Sequence, residues 1–265
     1  MIYICIPTFD EAPTVGLLLW KIRRVFGDFA REYQLLVVDD ASTDATAELL
    51  ESYTKVLPLT VLRHTERRGY AASVEELLRL AVERTDRPKR DCAVLIPADF
   101  AYSPEFIPEL IKRIESGSDL VIGEATLTGE VVRGRRLLRR WAPALFRGIR
   151  VPGVRDVVSG IAAFRLVSLK NALRVKEGRF LSAEGWAANA ELYAKTAQHA
   201  RRIDAIPVTQ RADIRPRASR QEAWDTAKYL WREGRRLKFA PPKLSTEPPP
   251  PRGGSGASSL EAATQ

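Results

Sequence analysis

Acidic side chains recur in this 265-residue chain at the points where short apolar runs stop. The first run ends in Pro7-Thr8-Phe9-Asp10-Glu11, the second in Val38-Asp39-Asp40-Ala41-Ser42-Thr43-Asp44, and a later one in Pro97-Ala98-Asp99. An ionised carboxylate only accepts hydrogen bonds, so these residues suit a partner rich in N–H and O–H donors, or a cation. Asp39 and Asp40 are adjacent and repel, which calls for donors or a cation to offset it. Glu11 and Asp44 have a plainer use too, at the starts of the helices that follow. A second group is basic. Residues 133–150 hold seven arginines (Arg133, Arg135, Arg136, Arg139, Arg140, Arg147 and Arg150) and no acid. Guanidinium stays charged, and its forked donors match phosphate oxygens.

The elements that must position these groups alternate in kind. Ile2–Ile6, Leu35–Val38, Leu59–Leu62, Ala93–Ile96 and Leu120–Ile122 are short apolar runs of strand type. Between them lie amphipathic segments with recognisable starts: Pro13 opens Thr14–Phe26, Ser42 can cap Thr43–Tyr53, and Ser103-Pro104 opens Glu105–Glu115. This alternation predicts an α/β fold, a mainly parallel sheet with helices on both faces. Ligands of such sheets sit beyond the carboxyl ends of the strands, where the acids are. At about 100° per residue, Leu137, Leu138, Trp141, Leu145, Phe146 and Ile149 share one half of a helix over the arginine-rich segment, and Pro143 predicts a kink. Such a helix either covers a core with a solvated face or lies in a membrane interface.

Bulk properties narrow the partners. The net charge of +9 favours anionic ones. Aromatics make up 8% of the chain and no nucleic-acid-binding pattern is present, which argues against nucleic acid. Cys5 and Cys92 lie in strand-like runs without metal-ligand spacing and are expected to be buried, reduced thiols. His64 and His199 have no partner pattern and are expected to be surface or internally satisfied residues. No signal peptide or membrane span is evident, so the expected location is cytoplasmic with any membrane contact peripheral. Residues 239–265, through Pro-rich Glu247–Pro251 and Gly/Ser-rich Arg252–Ser259, read as a disordered tail behind one domain over 1–238.

The segments Ile6-Pro7-Thr8-Phe9-Asp10-Glu11 and Val37-Val38-Asp39-Asp40-Ala41-Ser42-Thr43-Asp44 resemble the two opening motifs of family 2 glycosyltransferases, which have the GT-A (Rossmann-like) fold. Asp156-Val-Val-Ser-Gly-Ile-Ala-Ala-Phe-Arg165 is similar to the D-x-x-S-G-x-x-x-F-R segment of the polyprenyl-phosphate branch, the dolichol-phosphate mannose synthase type. Glu191 with Arg202-Ile-Asp-Ala-Ile-Pro-Val208, then Arg215, Arg217 and Ser219-Arg220, resemble that branch's later elements in the same order. The resemblance implies a nucleotide-sugar half over about 1–125 and an acceptor half over about 126–238. It implies that Pro7, Phe9, Glu11, Asp39, Asp40, Ala98 and Asp99 bind the nucleotide sugar, with Asp99 holding Mg²⁺ or Mn²⁺. Arg136, with Arg133 as second candidate, and Arg220 would place positive charge at the diphosphate. Asp99 and Arg136 would thus be catalytic, and Asp156, Ser159 and Glu191 would lie on the acceptor side. The implied reaction moves a sugar, with inversion, to a polyprenyl phosphate or other anionic lipid at a membrane surface. A lipid phosphate is already anionic and needs no strong base.

The pattern is broken in places. The usual D-x-D metal motif has Pro97 for its first Asp, and Ala101 stands where Gln is frequent, which predicts weak or dispensable metal binding. Glu124-Ala125-Thr126 replaces an expected arginine, and Arg67-Arg68-Gly69-Tyr70 replaces Asn-x-Gly. Two alternatives follow: a catalytically weakened nucleotide-sugar binder, or a transferase to a soluble sugar with Glu191 or Glu184 as base. A nucleotidyltransferase would need a Gly- and Lys-rich phosphate loop, which Pro7–Pro13 lacks.

Overall fold

A computed structural model describes residues 1–128, 141, 142, 144–146, 149, 151–174, 178–211 and 223–239. The order is β1 (Ile2–Thr8), α1 (Ala12–Asp28), β2 (Tyr33–Asp39), α2 (Thr46–Thr54), β3 (Leu59–Arg63), α3 (Tyr70–Arg84), β4 (Cys92–Leu95), α4 (Ile107–Glu115), β5 (Leu120–Thr128), β6 (Ala162–Arg165), α5 (Leu166–Ala172), α6 (Gly185–Ala197), β7 (Ile203–Arg211) and α7 (Ala223–Arg236). The strands form one sheet in the order β3-β2-β1-β4-β6-β5-β7. Every pairing is parallel except those of β6, which runs antiparallel to both β4 and β5.

The central strands β1 and β4 are buried along their whole length because both faces are covered. Side chains alternate between two layers. Tyr3, Cys5, Leu36, Val38, Ala93 and Leu95 pack with α3, α5, α6 and α7, whereas Ile2, Ile4, Ile6, Leu35, Val37, Cys92 and Val94 pack with α1, α2 and α4. Cys5 and Cys92 are therefore buried free thiols on opposite faces. Burial pushes the Cys92 thiol up to about 12.

Most boundaries shift by one or two residues from the sequence expectation, and three shifts have a visible cause. Ser42 does not cap α2. Its Oγ accepts the Asp10 amide instead, and Asp44 Oδ1 accepts the Thr46 amide, so the helix starts at Thr46. Helix α1 begins at Ala12, with Pro13 in its first turn, where a missing N–H costs nothing. Strand β5 runs past Ile122 to Thr128 because β7 pairs with it in parallel over its whole length.

Of the arginine-rich segment, only 141, 142, 144–146 and 149 are described. Phe146 and Ile149 are buried, as a core-facing stripe requires, while Trp141 is 58% exposed. Arg133, Arg135, Arg136, Arg139, Arg140, Arg147, Arg150, Arg215, Arg217, Arg220 and the tail from 240 lie outside the described residues. Among the described residues no helix is long and apolar enough to cross a membrane.

Candidate functional site

Strands β2, β1 and β4 are parallel neighbours, with Thr8 opposite Asp39 and Cys5 opposite Leu95. Their carboxyl ends therefore meet at one edge of the sheet. Helix α1 packs on one face and α3 on the other, so the connections part between β1 and β4, the crevice where α/β sheets bind ligands. Backbone strain gathers at the same edge. Among the described residues the non-glycine positions with positive φ are Asp10 (48°), Ala41 (57°) and Phe100 (56°), each just past one of these three strands. Such conformations persist where the surroundings enforce them, and they cluster at functional sites.

The acids at this edge differ in how far the protein already engages them. Asp40 is buried: its Oδ1 accepts His64 Nδ1 at 2.7 Å and the Arg68 amide at 2.8 Å, and its Oδ2 accepts the Gly69 amide at 2.9 Å. Asp39 accepts the Ser42 amide at Oδ1, while its Oδ2 has no hydrogen bond and lies 3.5 Å from the exposed Arg63 Nε. Asp10 and Asp44 fasten the β1–α1 turn to the β2–α2 turn through Thr43 and Ala12. Glu11 accepts Thr14 Oγ1 at 3.0 Å, and its amide donates to Thr46 Oγ1. Pro7 is the buried penultimate residue of β1, and the Arg67 guanidinium lies 4.1 Å from the centroid of the Phe9 ring.

Beyond β4, Ala98 and Asp99 are buried, and Asp99 Oδ1 accepts the Ala101 amide at 3.0 Å. Among the described residues no three His, Cys, Asp or Glu side chains gather as a metal site. Pro97 and Ala98 supply no ligand, so the protein offers one carboxylate here. That donor set fits Mg²⁺ or Mn²⁺ only with further oxygens from phosphates and water, the usual arrangement for Mg²⁺ with phosphate substrates.

The second half of the chain approaches the edge through the segment before α6. Glu184 Oε2 accepts the Ala71 amide at 3.1 Å, at the amino end of α3. Burial raises its carboxyl above the ordinary range, and the Asp40 charge adds to this, against the lowering effect of the Ala71 and Tyr70 amides. Gly69, at φ +95°, is required there, since a Cβ would stand 2.9 Å from Glu184 Oε1. Tyr70 donates to Asn189 of α6 at 2.8 Å.

The acids of the later motifs hold backbone. Asp156 accepts the Ala125 amide at 3.0 Å and the Val158 amide at 3.3 Å. Ser159 is fully buried, and its carbonyl accepts Tyr193 Oη at 2.6 Å. Glu191 accepts the Ser182 and Ala183 amides at 2.8 and 2.9 Å and Lys195 Nζ at 2.8 Å. Burial raises its carboxyl, but these donors outweigh burial and leave it below the ordinary range. This geometry suits a fastening for the 182–184 segment and leaves Glu191 poorly placed to act as a base.

The edge thus offers carboxylates, an aromatic face under a guanidinium and one candidate cation ligand. Such a set suits a ligand rich in N–H and O–H donors, or a cation. His64 and Arg67 stand at the same edge; the Arg67-Arg68-Gly69-Tyr70 turn was marked in the sequence as a departure from Asn-x-Gly, whereas for His64 the available signal was its place just past β3.

The family description "Glycosyl transferase family 2" matches residues 3–172. A dolichol-phosphate mannosyltransferase of Pyrococcus furiosus is 31% identical over 169 residues, which is 61% of this chain and 45% of that protein. This chain therefore spans less than half the length of that relative. An undecaprenyl-phosphate mannosyltransferase of Micrococcus luteus is 28% identical over 209 residues, covering 77% of this chain and 81% of that one. Among solved structures, the mannosyltransferase PcManGT of Pyrobaculum calidifontis in complex with GDP-Man and Mn²⁺ aligns with a TM-score of 0.57 and 21% identity, over 91% of this chain and 65% of that one. At that identity the match speaks for the fold alone.

Proposed function

The chain belongs to glycosyl transferase family 2, and from that premise we propose that it moves a hexosyl group from a nucleoside-diphosphate sugar to the phosphate of a polyprenyl lipid, with inversion. The observation that carries this reading is the meeting of Phe9–Glu11, Asp39–Asp40 and Ala98–Asp99 at the carboxyl ends of three adjacent parallel strands. A polyprenyl phosphate is preferred over a soluble sugar acceptor because the two mannosyltransferases compared above are named for polyprenyl-phosphate acceptors.

In this reading the base lies by Phe9 and Arg67, with Pro7 and Glu11 beside it, and Asp39 and Asp40 accept its N–H groups. Asp99 would be the protein's ligand to a divalent cation at the diphosphate. When bound, Mg²⁺ or Mn²⁺ offsets the charge that develops on the leaving nucleotide. Arg136 and Arg220, outside the described residues, supply further positive charge at the same oxygens. The acceptor phosphate approaches from the side that Asp156 and Ser159 shape, and attacks opposite the leaving group. Membrane contact is peripheral, at the inner face, through exposed Trp141, Trp231, Arg232 and Arg235.

The test is calorimetric titration with UDP- and GDP-sugars, followed by transfer to undecaprenyl phosphate with and without EDTA. One donor should bind and its sugar should reach the lipid. Binding without transfer would mark a non-catalytic binder, the outcome that Pro97 makes worth checking. Failure of every activated sugar to bind sinks the reading.

A further inference from the structure

His64 stands just past β3, is 7% exposed, and is given no task by the proposed reaction. Its ring fills the space between two carboxylates: Nδ1 is 2.7 Å from Asp40 Oδ1 and Nε2 is 2.9 Å from Glu76 Oε2. Glu76 also accepts the Arg68 guanidinium at 2.8 Å, and the Arg68 amide returns to Asp40 Oδ1. The His64 amide donates to the Asp39 carbonyl at 2.9 Å, which fixes where the ring starts. The ring, Asp40, Glu76 and the turn at Arg67–Gly69 therefore form a closed circuit of hydrogen bonds.

This circuit determines what Asp40 can still do. An ionised carboxylate has about four acceptor positions. Among the described residues, His64 and the Arg68 amide take both positions on Oδ1, and the Gly69 amide takes one on Oδ2. One position is left, on Oδ2, and the ring together with the Arg68 and Gly69 amides fixes which way it points. The same turn carries Arg67, whose guanidinium lies over Phe9. Buried polar groups held on all sides adopt one arrangement, whereas a circuit with a missing member relaxes.

We infer that His64, oriented by Glu76, is a positioning residue for recognition of the donor's base: it aims the remaining acceptor of Asp40 and fixes the turn that lays Arg67 on Phe9. This rests on the donor site proposed above.

The test compares wild type with His64→Ala, His64→Gln and Glu76→Gln, by calorimetry with UDP and GDP and by steady-state kinetics with the donor varied. Removing a buried hydrogen bond to a charged group predicts a rise in donor Kd and KM of roughly tenfold or more for His64→Ala, with kcat within about threefold. His64→Gln, which keeps a donor towards Asp40, should fall between the two. Unchanged donor Kd and KM in the variants that fold would overturn the inference. A loss of kcat with the acceptor KM disturbed equally would do the same, as a general structural role predicts. If His64→Ala does not fold, His64→Gln and Glu76→Gln carry the comparison. Wild type that binds neither nucleotide removes the donor site itself, and the inference with it.

Discussion

A carboxylate in a protein is defined by how many of its acceptor positions are already taken. Asp156 holds the Ala125 and Val158 amides, while Asp39 keeps a buried oxygen with no hydrogen bond, so equal charges imply unequal tasks. Asp40→Ala should weaken donor binding by more than about tenfold, the effect of losing a charged hydrogen bond, whereas Asp156→Ala should lower Tm and leave donor Kd unchanged. Calorimetry on both variants checks this, and parallel losses of affinity would mean that donor and acceptor sides have been divided wrongly. Arg67→Ala removes a cation–π contact at an exposed site and should weaken the donor by roughly two- to fivefold, with Tm unmoved. The place of Phe9, Asp39, Asp40 and Asp99 at the strand ends was legible in the sequence because each follows an apolar run. His64 was not legible, since its partners Asp40 and Glu76 lie 24 and 12 residues away and only the packing of α3 against β2 brings them together. The metal motif was legible mainly in its defect at Pro97.

Elements add constraints that no single residue carries. Helix α7 crosses the 144–146 segment so closely that a Cβ at Gly234 would stand 2.1 Å from the Leu145 carbonyl oxygen. Gly234→Ala should therefore cost about 1–3 kcal/mol, typical of overpacking, seen as a lower Tm and denaturant midpoint. Helix α6 is tied to the segment before it by Glu191, whose carboxyl is held below the ordinary range. A carboxylate lowered on folding stabilises fully above its unfolded value, about 4.3 for Glu, and loses that contribution as pH falls through its folded value. Wild type should thus be more stable than Glu191→Gln at pH 7, and chemical denaturation should show the gap closing under acid. The strands of the first half were legible because they are continuous apolar runs. β6 and β7 were harder: Ala162–Arg165 is only four residues long, and Ile203–Arg211 alternates buried with exposed positions, which fits an edge strand. The start of α2 was misjudged because Ser42 turns to Asp10, a partner 32 residues away.

At the scale of the molecule, charge and sheet order matter most. With a net charge of +9 and exposed Trp141 and Trp231, the protein should sediment with anionic vesicles and not with neutral ones. Raising salt from about 0.1 M to about 1 M cuts the Debye length from about 10 Å to about 3 Å, so bound protein should fall sharply; retention that ignores salt would argue against an electrostatic footing. The order β3-β2-β1-β4-β6-β5-β7 has a different kind of consequence. β5 belongs to the first 128 residues, yet among the described residues it touches the rest of the sheet only through β6, from residues 162–165, and through β7. A nascent chain that has left the ribosome only as far as Thr128 holds a strand it cannot join to β4. Two fragments severed between 128 and 141 should each stay incomplete when expressed alone, and should regain nucleotide affinity only on mixing, which fragment complementation would measure.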